Sequence, residues 1–165
     1  MTAPSDVVVI GGGPAGSVVA TLLADAGISV TLLERERFPR YHIGESLLSA
    51  TLPILDAVGV TAKCEAHGFL RKPGGTFQWG RQRDPWSFWF REDPGGRPYA
   101  FQVVRAEFDQ LLLANAREHG VDIREEHSVE RVDTSRATPV IGVRSADGRT
   151  FSLRRRAQTR RRRLD

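Results

Sequence analysis

Three consecutive glycines at residues 11–13, with a fourth at Gly16, leave few folds open to this chain. Before them, Asp6-Val-Val-Val-Ile10 is a short β-branched run of the kind that forms a buried parallel strand. Gly11, Gly13 and Gly16, with Pro14 and Ala15 between the last two, complete a G-x-G-x-x-G pattern. In such a turn the first glycine allows the tight bend and the second lets backbone approach a pyrophosphate. The third lets the following helix pack close on the strand. Pro14 suits a first helical turn, where its missing N–H has no partner to lose. A helix is predicted over Ser17–Ala26, stopped by Gly27, and its free amides and dipole favour a phosphate at its start. A second strand, Ile28–Leu33, ends at Glu34, 18 residues beyond Gly16 and placed to accept from ribose hydroxyls. An ordinary glycine-rich turn accounts for the glycines alone but not for strand, glycines, helix, strand and acid in register. The reading is a dinucleotide-binding βαβ unit.

The rest of the composition mainly excludes. A length of 165 residues suits one domain with a core, and 40% hydrophobic against 27% charged residues fits a globular protein. No apolar run reaches the roughly 20 residues of a membrane span. Met1–Asp6 lacks the basic region of a signal peptide, which predicts a cytoplasmic protein without membrane partners. The single Cys64 rules out an internal disulfide and offers no metal-site pattern. The isoelectric point near 10 invites a nucleic-acid reading. However, seven arginines lie after Leu153 against one acid, so the tail is net +6 and the body net −2. With no recognition motif beside that charge, no nucleic-acid partner is expected.

Later motifs narrow the cofactor and the chemistry. The N-terminal position of the unit, and Glu34 followed by Arg35-Glu36-Arg37, resemble FAD-dependent monooxygenases of the p-hydroxybenzoate hydroxylase type. Phe38-Pro-Arg-Tyr-His-Ile-Gly-Glu-Ser-Leu-Leu48 resembles a segment of flavin-dependent halogenases, especially those acting on phenols and pyrroles. Lys72-Pro-Gly-Gly-Thr-Phe-Gln-Trp-Gly80 is similar to that family's K-x-G-G-x-F-x-W-G. Asp84–Phe90 and Gln102–Asp109 resemble its aromatic strand and its Q-V-x-R-x-x-F-D helix start. The resemblance covers residues 5 to about 153.

The resemblance implies that FAD, used as FADH2, reacts with O2 to a C4a-hydroperoxide that oxidises chloride or bromide. The oxidant then passes to a lysine beside the organic substrate, which it holds by charge-assisted hydrogen bonding or as a haloamine. The chain has two lysines, Lys63 and Lys72, and only Lys72 falls in the matching motif. Catalytic work is therefore expected of Lys72, with a solvated loop lysine as the alternative. Gly11, Gly13, Pro14, Ala15, Gly16, Glu34 and Arg35 are expected to hold the cofactor. By resemblance, Gly44, Glu45, Ser46 and Arg105 join them. Ser46 alternatively reads as the N-cap of a helix over Ser46–Val58, and Arg105 as a solvated arginine heading a helix over Ala106–His119. Trp79, Trp86, Phe88, Trp89 and Phe90 read as aromatic core packing, with walls of a substrate cavity as the alternative. The implied partners are a small aromatic or pyrrolic substrate, free or carrier-protein-tethered, and a separate flavin reductase. No metal is expected.

The fold expected is α/β: a Rossmann-like FAD-binding unit of the GR2 flavoprotein type. A strand over Val121–Glu125 extends it. A three-stranded antiparallel β-meander over Ser128–Thr134, Val140–Ser145 and Arg149–Leu153 covers one sheet face, and residues of about 70–104 begin a substrate layer. Residues 154–165, Arg-rich, break the alternation. We read them as a frameshifted replacement of a core strand, with a designed basic tail as the alternative, in a truncated chain that lacks the family's W-x-W-x-I-P segment and should fold poorly alone. The rival functions are an FAD-dependent hydroxylase or ene-reductase of the same superfamily, and an inactive nucleotide-binding fragment.

Overall fold

The computed structural model describes residues 5–81, 84–135 and 139–154. In chain order the elements are β1 (Val7–Ile10), α1 (Pro14–Asp25), β2 (Val30–Leu33), α2 (Leu52–Ala57), α3 (Thr61–His67), β3 (Leu70–Lys72), β4 (Gly74–Phe77) and β5 (Trp86–Trp89). They continue with β6 (Ala100–Gln102), α4 (Arg105–Glu118), β7 (Asp122–Arg124), β8 (His127–Asp133), β9 (Val140–Ser145) and β10 (Thr150–Arg154). Residues 1–40 with 112–165 form one compact unit, and residues 41–111 a second.

In the first unit, β1, β2 and β7 pair in parallel in the order β1-β2-β7. Alternation along β2 sorts its side chains to two faces. Val30 and Leu32 pack with Ala20 of α1 and with Leu113, Ala116 and Val121. Leu33 packs the other way, with Ile141 and Val143 of β9 and with Val8, Val129, Phe151 and Leu153. The meander β8-β9-β10 is antiparallel and lies over that face, with the Asp147-Gly148 turn joining its last two strands. Gly148 there takes a φ of 80°, the left-handed region the turn requires. Thr31, on the meander-side face of a fully buried strand, has its hydroxyl bonded to Ser5 and Asp122.

One expectation for this unit needs correction. β2 is buried throughout, but β1 is only partly buried and Ile10 is 54% exposed. β1 stands at the edge of its sheet among the described residues, so one flank lacks a neighbour.

The second unit pairs β3 with β6 and β4 with β5, both antiparallel. Its buried side chains include Leu52, Leu55, Val58, Val60, Cys64, Phe90 and Phe101. Two expectations fail here. No helix begins at Ser46. That residue is extended and bridges Gln102 of β6, and helix starts only with a 3-10 turn at Ser49–Thr51 leading into α2. The Glu45 and Leu47 backbones are already bonded to Val103 and Phe101, which holds this stretch as a strand. Nor do the aromatics form a core. Trp79 is 77% and Trp86 57% exposed, and of this group only Phe90 is buried. Phe77, Trp86 and Phe88 instead stack along the surface of the β4–β5 hairpin, with ring centroids 5.2–6.1 Å apart. The arginine-rich tail after Arg154 lies outside the described residues.

Candidate functional site

The glycine loop of the first unit is shaped by two different constraints. Gly11 has a φ of 98°, which a side chain would strain, and its N–H donates to the Leu33 carbonyl at 2.8 Å. A Cβ on Gly16 would lie 2.0 Å from the Gly11 carbonyl oxygen, so the fold itself demands glycine there. Gly13 is different. Its φ is ordinary and a Cβ would meet only the tip of Arg40, at 3.4 Å. Nothing in the protein's own packing requires a glycine at 13, and the backbone there is open. Gly13 is the N-cap of α1 with no side-chain cap, and Pro14 occupies the first turn as expected. The first amides of that helix have no intrahelical carbonyl to bond. Ala15 is exposed, and Arg40 brings a cation to the same loop while pairing with Glu36 at 3.3 Å. The cradle, helix start and cation fit an anionic dinucleotide phosphate.

Glu34 is buried at the end of β2 and ties the loop. Its Oε2 accepts from the Gly12 N–H at 2.6 Å, and its Oε1 accepts from the Glu36 N–H at 2.9 Å. Each carboxylate oxygen retains acceptor capacity for a further donor, such as a ribose hydroxyl. Arg35 follows in an exposed position. Two residues escaped the motif reading. Gly12 is buried, with a Cβ there falling 3.1–3.3 Å from Leu113 and Glu34, and Ser17 donates its hydroxyl to the Gly12 carbonyl at 2.9 Å. A serine one residue past G-x-G-x-x-G is the only sequence trace of that brace.

In the second unit the residues from the two halogenase-like motifs come together. β6 is the centre: Lys72 pairs opposite Ala100 on one edge, and Ser46 bridges Gln102 on the other. Directly opposed residues share a sheet face. Ala100 is buried, and the Lys72 ammonium reaches the segment on the far edge of β6. There Nζ donates to Ser46 Oγ and to the Leu47 carbonyl, the latter at 2.7 Å, with the Phe90 ring centroid 5.6 Å away. Partial burial holds the Lys72 pKa below its ordinary value. Lys72 is thus a strand lysine docked on its neighbour and not a loop lysine in solvent.

The adjoining turn is fixed by Arg105. Its Nε and Nη2 donate to the two carboxylate oxygens of fully buried Asp109 at 2.8 and 2.9 Å, and Nη1 donates to the Ile43 carbonyl at 2.8 Å. Gly44 has a φ of 104°, and a Cβ there would press on that Nη1 at 3.1 Å. Arg105 opens α4 as expected, yet its fork is already engaged within the protein. The two glycines after Lys72 also have a packing reason. A Cβ on Gly74 would strike the Phe88 carbonyl oxygen at 2.1 Å, and one on Gly75 the Phe88 ring at 2.9 Å.

Among the described residues no helix is long and apolar enough to cross a membrane. Residues 4–155 match the family model of the FAD binding domain. The chain is 48% identical over 137 residues to tryptophan 2-halogenase of Chondromyces crocatus, covering 81% of this chain and 25% of that protein. Among solved structures it is similar to the myxobacterial chondrochloren halogenase, at 43% identity and a TM-score of 0.85, over 93% of this chain and 36% of the other. It is also similar to a flavoprotein/dehydrogenase of Cytophaga hutchinsonii, at 34% identity and a TM-score of 0.85, over 91% of this chain and 37% of that one. The chain spans about a quarter of the length of the curated relatives it matches.

Proposed function

The chain belongs to the FAD-binding-domain family, within its flavin-dependent halogenase group, and from that premise we propose that it serves FADH2-dependent halogenation of a small aromatic or pyrrolic substrate. Reduced FAD with O2 supplies the two-electron oxidation of chloride or bromide. Gly11, Gly13, Pro14, Ala15 and Gly16 cradle the pyrophosphate, Glu34 accepts from the ribose, and Arg35 lies beside it. Gly44, Glu45 and Arg105 are assigned to the flavin on the family resemblance. Lys72 presents its ammonium to the oxidised halogen species, holding its oxygen by a charge-assisted hydrogen bond. A separate reductase supplies the reduced flavin, and the substrate is free or tethered to a carrier protein.

One observation supports the reading: the lysine of the K-x-G-G motif is partly buried and docked on Ser46 of the G-E-S segment and on the Leu47 carbonyl beside it. A hydroxylase needs no such cation. The test is to replace the matching segment of the Chondromyces tryptophan 2-halogenase with this sequence and supply reduced flavin, O2 and halide. The flavin-loaded hybrid is expected to yield halogenated product by mass spectrometry. Lys72→Ala is expected to keep the flavin absorbance and lower product about a hundredfold or more. Undiminished halogenation by the loaded Lys72→Ala hybrid would overturn the assignment. Hydroxylated product from the parent hybrid would favour the hydroxylase reading.

A further inference from the structure

Ser46 stands in a motif that the family resemblance gives to the cofactor, but its hydroxyl is turned to another task. An ammonium has three N–H donors and no acceptor. For Lys72, two of these are engaged: one by Ser46 Oγ, one by the Leu47 carbonyl at 2.7 Å. Both acceptors sit on one short extended segment whose own backbone is pinned. The Leu47 N–H bonds the Phe101 carbonyl at 3.1 Å, and the Val103 N–H bonds the Glu45 carbonyl at 2.9 Å. Upstream, the Arg105–Asp109 pair holds the Ile43 carbonyl and so sets the turn at Gly44. Lysine side chains ordinarily have much rotamer freedom to lose. Here the loss is imposed by acceptors that cannot drift.

We propose that Ser46 is a positioning residue for Lys72: its hydroxyl and the Leu47 carbonyl fix the ammonium so that its third N–H has one defined direction. This rests on the reading of Lys72 as the residue that meets the oxidised halogen species. It assigns Ser46 to the lysine, where the motif alone gave it to the flavin or to a helix cap. Fixing that last N–H restricts where the oxidant's oxygen can be held, and so which substrate carbon lies within reach.

The test uses the chain itself, labelled with 13C,15N-lysine. Two lysines give two side-chain signals, and Lys63→Arg identifies Lys72. The Lys72 ammonium protons, observed in mildly acidic solution, are expected to exchange about tenfold faster in Ser46→Ala, as loss of one charge-assisted hydrogen bond implies. The Lys63 signal is expected to stay unchanged. Ser46→Thr, which keeps a hydroxyl, should restore slow exchange. Ser46 is exposed, so the thermal transition should be the same in all three proteins, separating positioning from folding. Equal Lys72 exchange in parent and Ser46→Ala overturns the proposal, as does failure of Ser46→Thr to restore it. These outcomes are independent of product formation. Halogenation that survives Lys72→Ala strikes the assigned role of Lys72, whereas unaltered exchange in Ser46→Ala strikes the positioning alone.

Discussion

The two units arrange their polar groups to opposite ends. In the first, Glu34 at the end of β2 and Ser17 of α1 both bond Gly12 of the glycine loop, while the backbone at Gly13 stays open. In the second, the cations are held inward: Arg105 by Asp109 and the Ile43 carbonyl, Lys72 by Ser46 and the Leu47 carbonyl. The apolar side chains differ likewise. The first unit buries the whole of β2 between two packed faces, whereas the second exposes Trp79, Trp86 and much of Trp89. On the proposed function the first is a cradle for a ligand and the second a mount for one reactive group. The first needs space kept clear, the second a side chain kept still.

The largest effect that would sharpen this contrast lies at Gly16. Gly16→Ala places a methyl carbon 2.0 Å from a carbonyl oxygen, a backbone atom that cannot step aside. The expected loss is at the upper end of the overpacking range, about 3 kcal/mol, in chemical denaturation. A change below ~1 kcal/mol would show that the helix–loop contact is looser than described.

A smaller effect, in the second unit, is set by pH. Burial, and after it the charge of Glu65, pushes the Cys64 thiol up to about 11 from an ordinary 9.0. The raised value means the folded chain keeps its proton where the unfolded chain has lost it. The contribution is therefore intact below pH 9 and is lost as pH rises towards 11. Tyr99, raised chiefly by its hydrogen bond to Glu65, acts in the same direction. Denaturation midpoints taken across that range are expected to fall, and Cys64→Ala should flatten part of the fall. Parallel profiles for parent and Cys64→Ala would show that Cys64 does not contribute to the fall.

How much of this was legible in the sequence follows the same division. Strand, glycine turn, helix, strand and acid were readable because β2 alternates between two buried faces and the glycine spacing is a backbone requirement. The meander was readable from its alternation and its Asp147-Gly148 turn. The second unit was not readable by periodicity. Its strands are three or four residues long, and Ser46 adopts extended structure only because β6, 54 residues further on, supplies the partners. The Val-free aromatic run looks like core by composition, yet it lines a hairpin surface. Lys72 and Ser46 were each singled out by motif resemblance. That they touch depends on pairing to opposite edges of one strand, which no local pattern encodes.

Gly13 is the one glycine of the motif that the fold leaves unexplained. FAD binding, titrated by fluorescence quenching, should be measured for parent and Gly13→Val with thermal unfolding followed in the same samples. A Cβ here meets only the tip of Arg40, at 3.4 Å, so the thermal transition is expected to shift little while FAD affinity falls by about an order of magnitude or more. Equal FAD affinity in the two proteins would contradict the cradle.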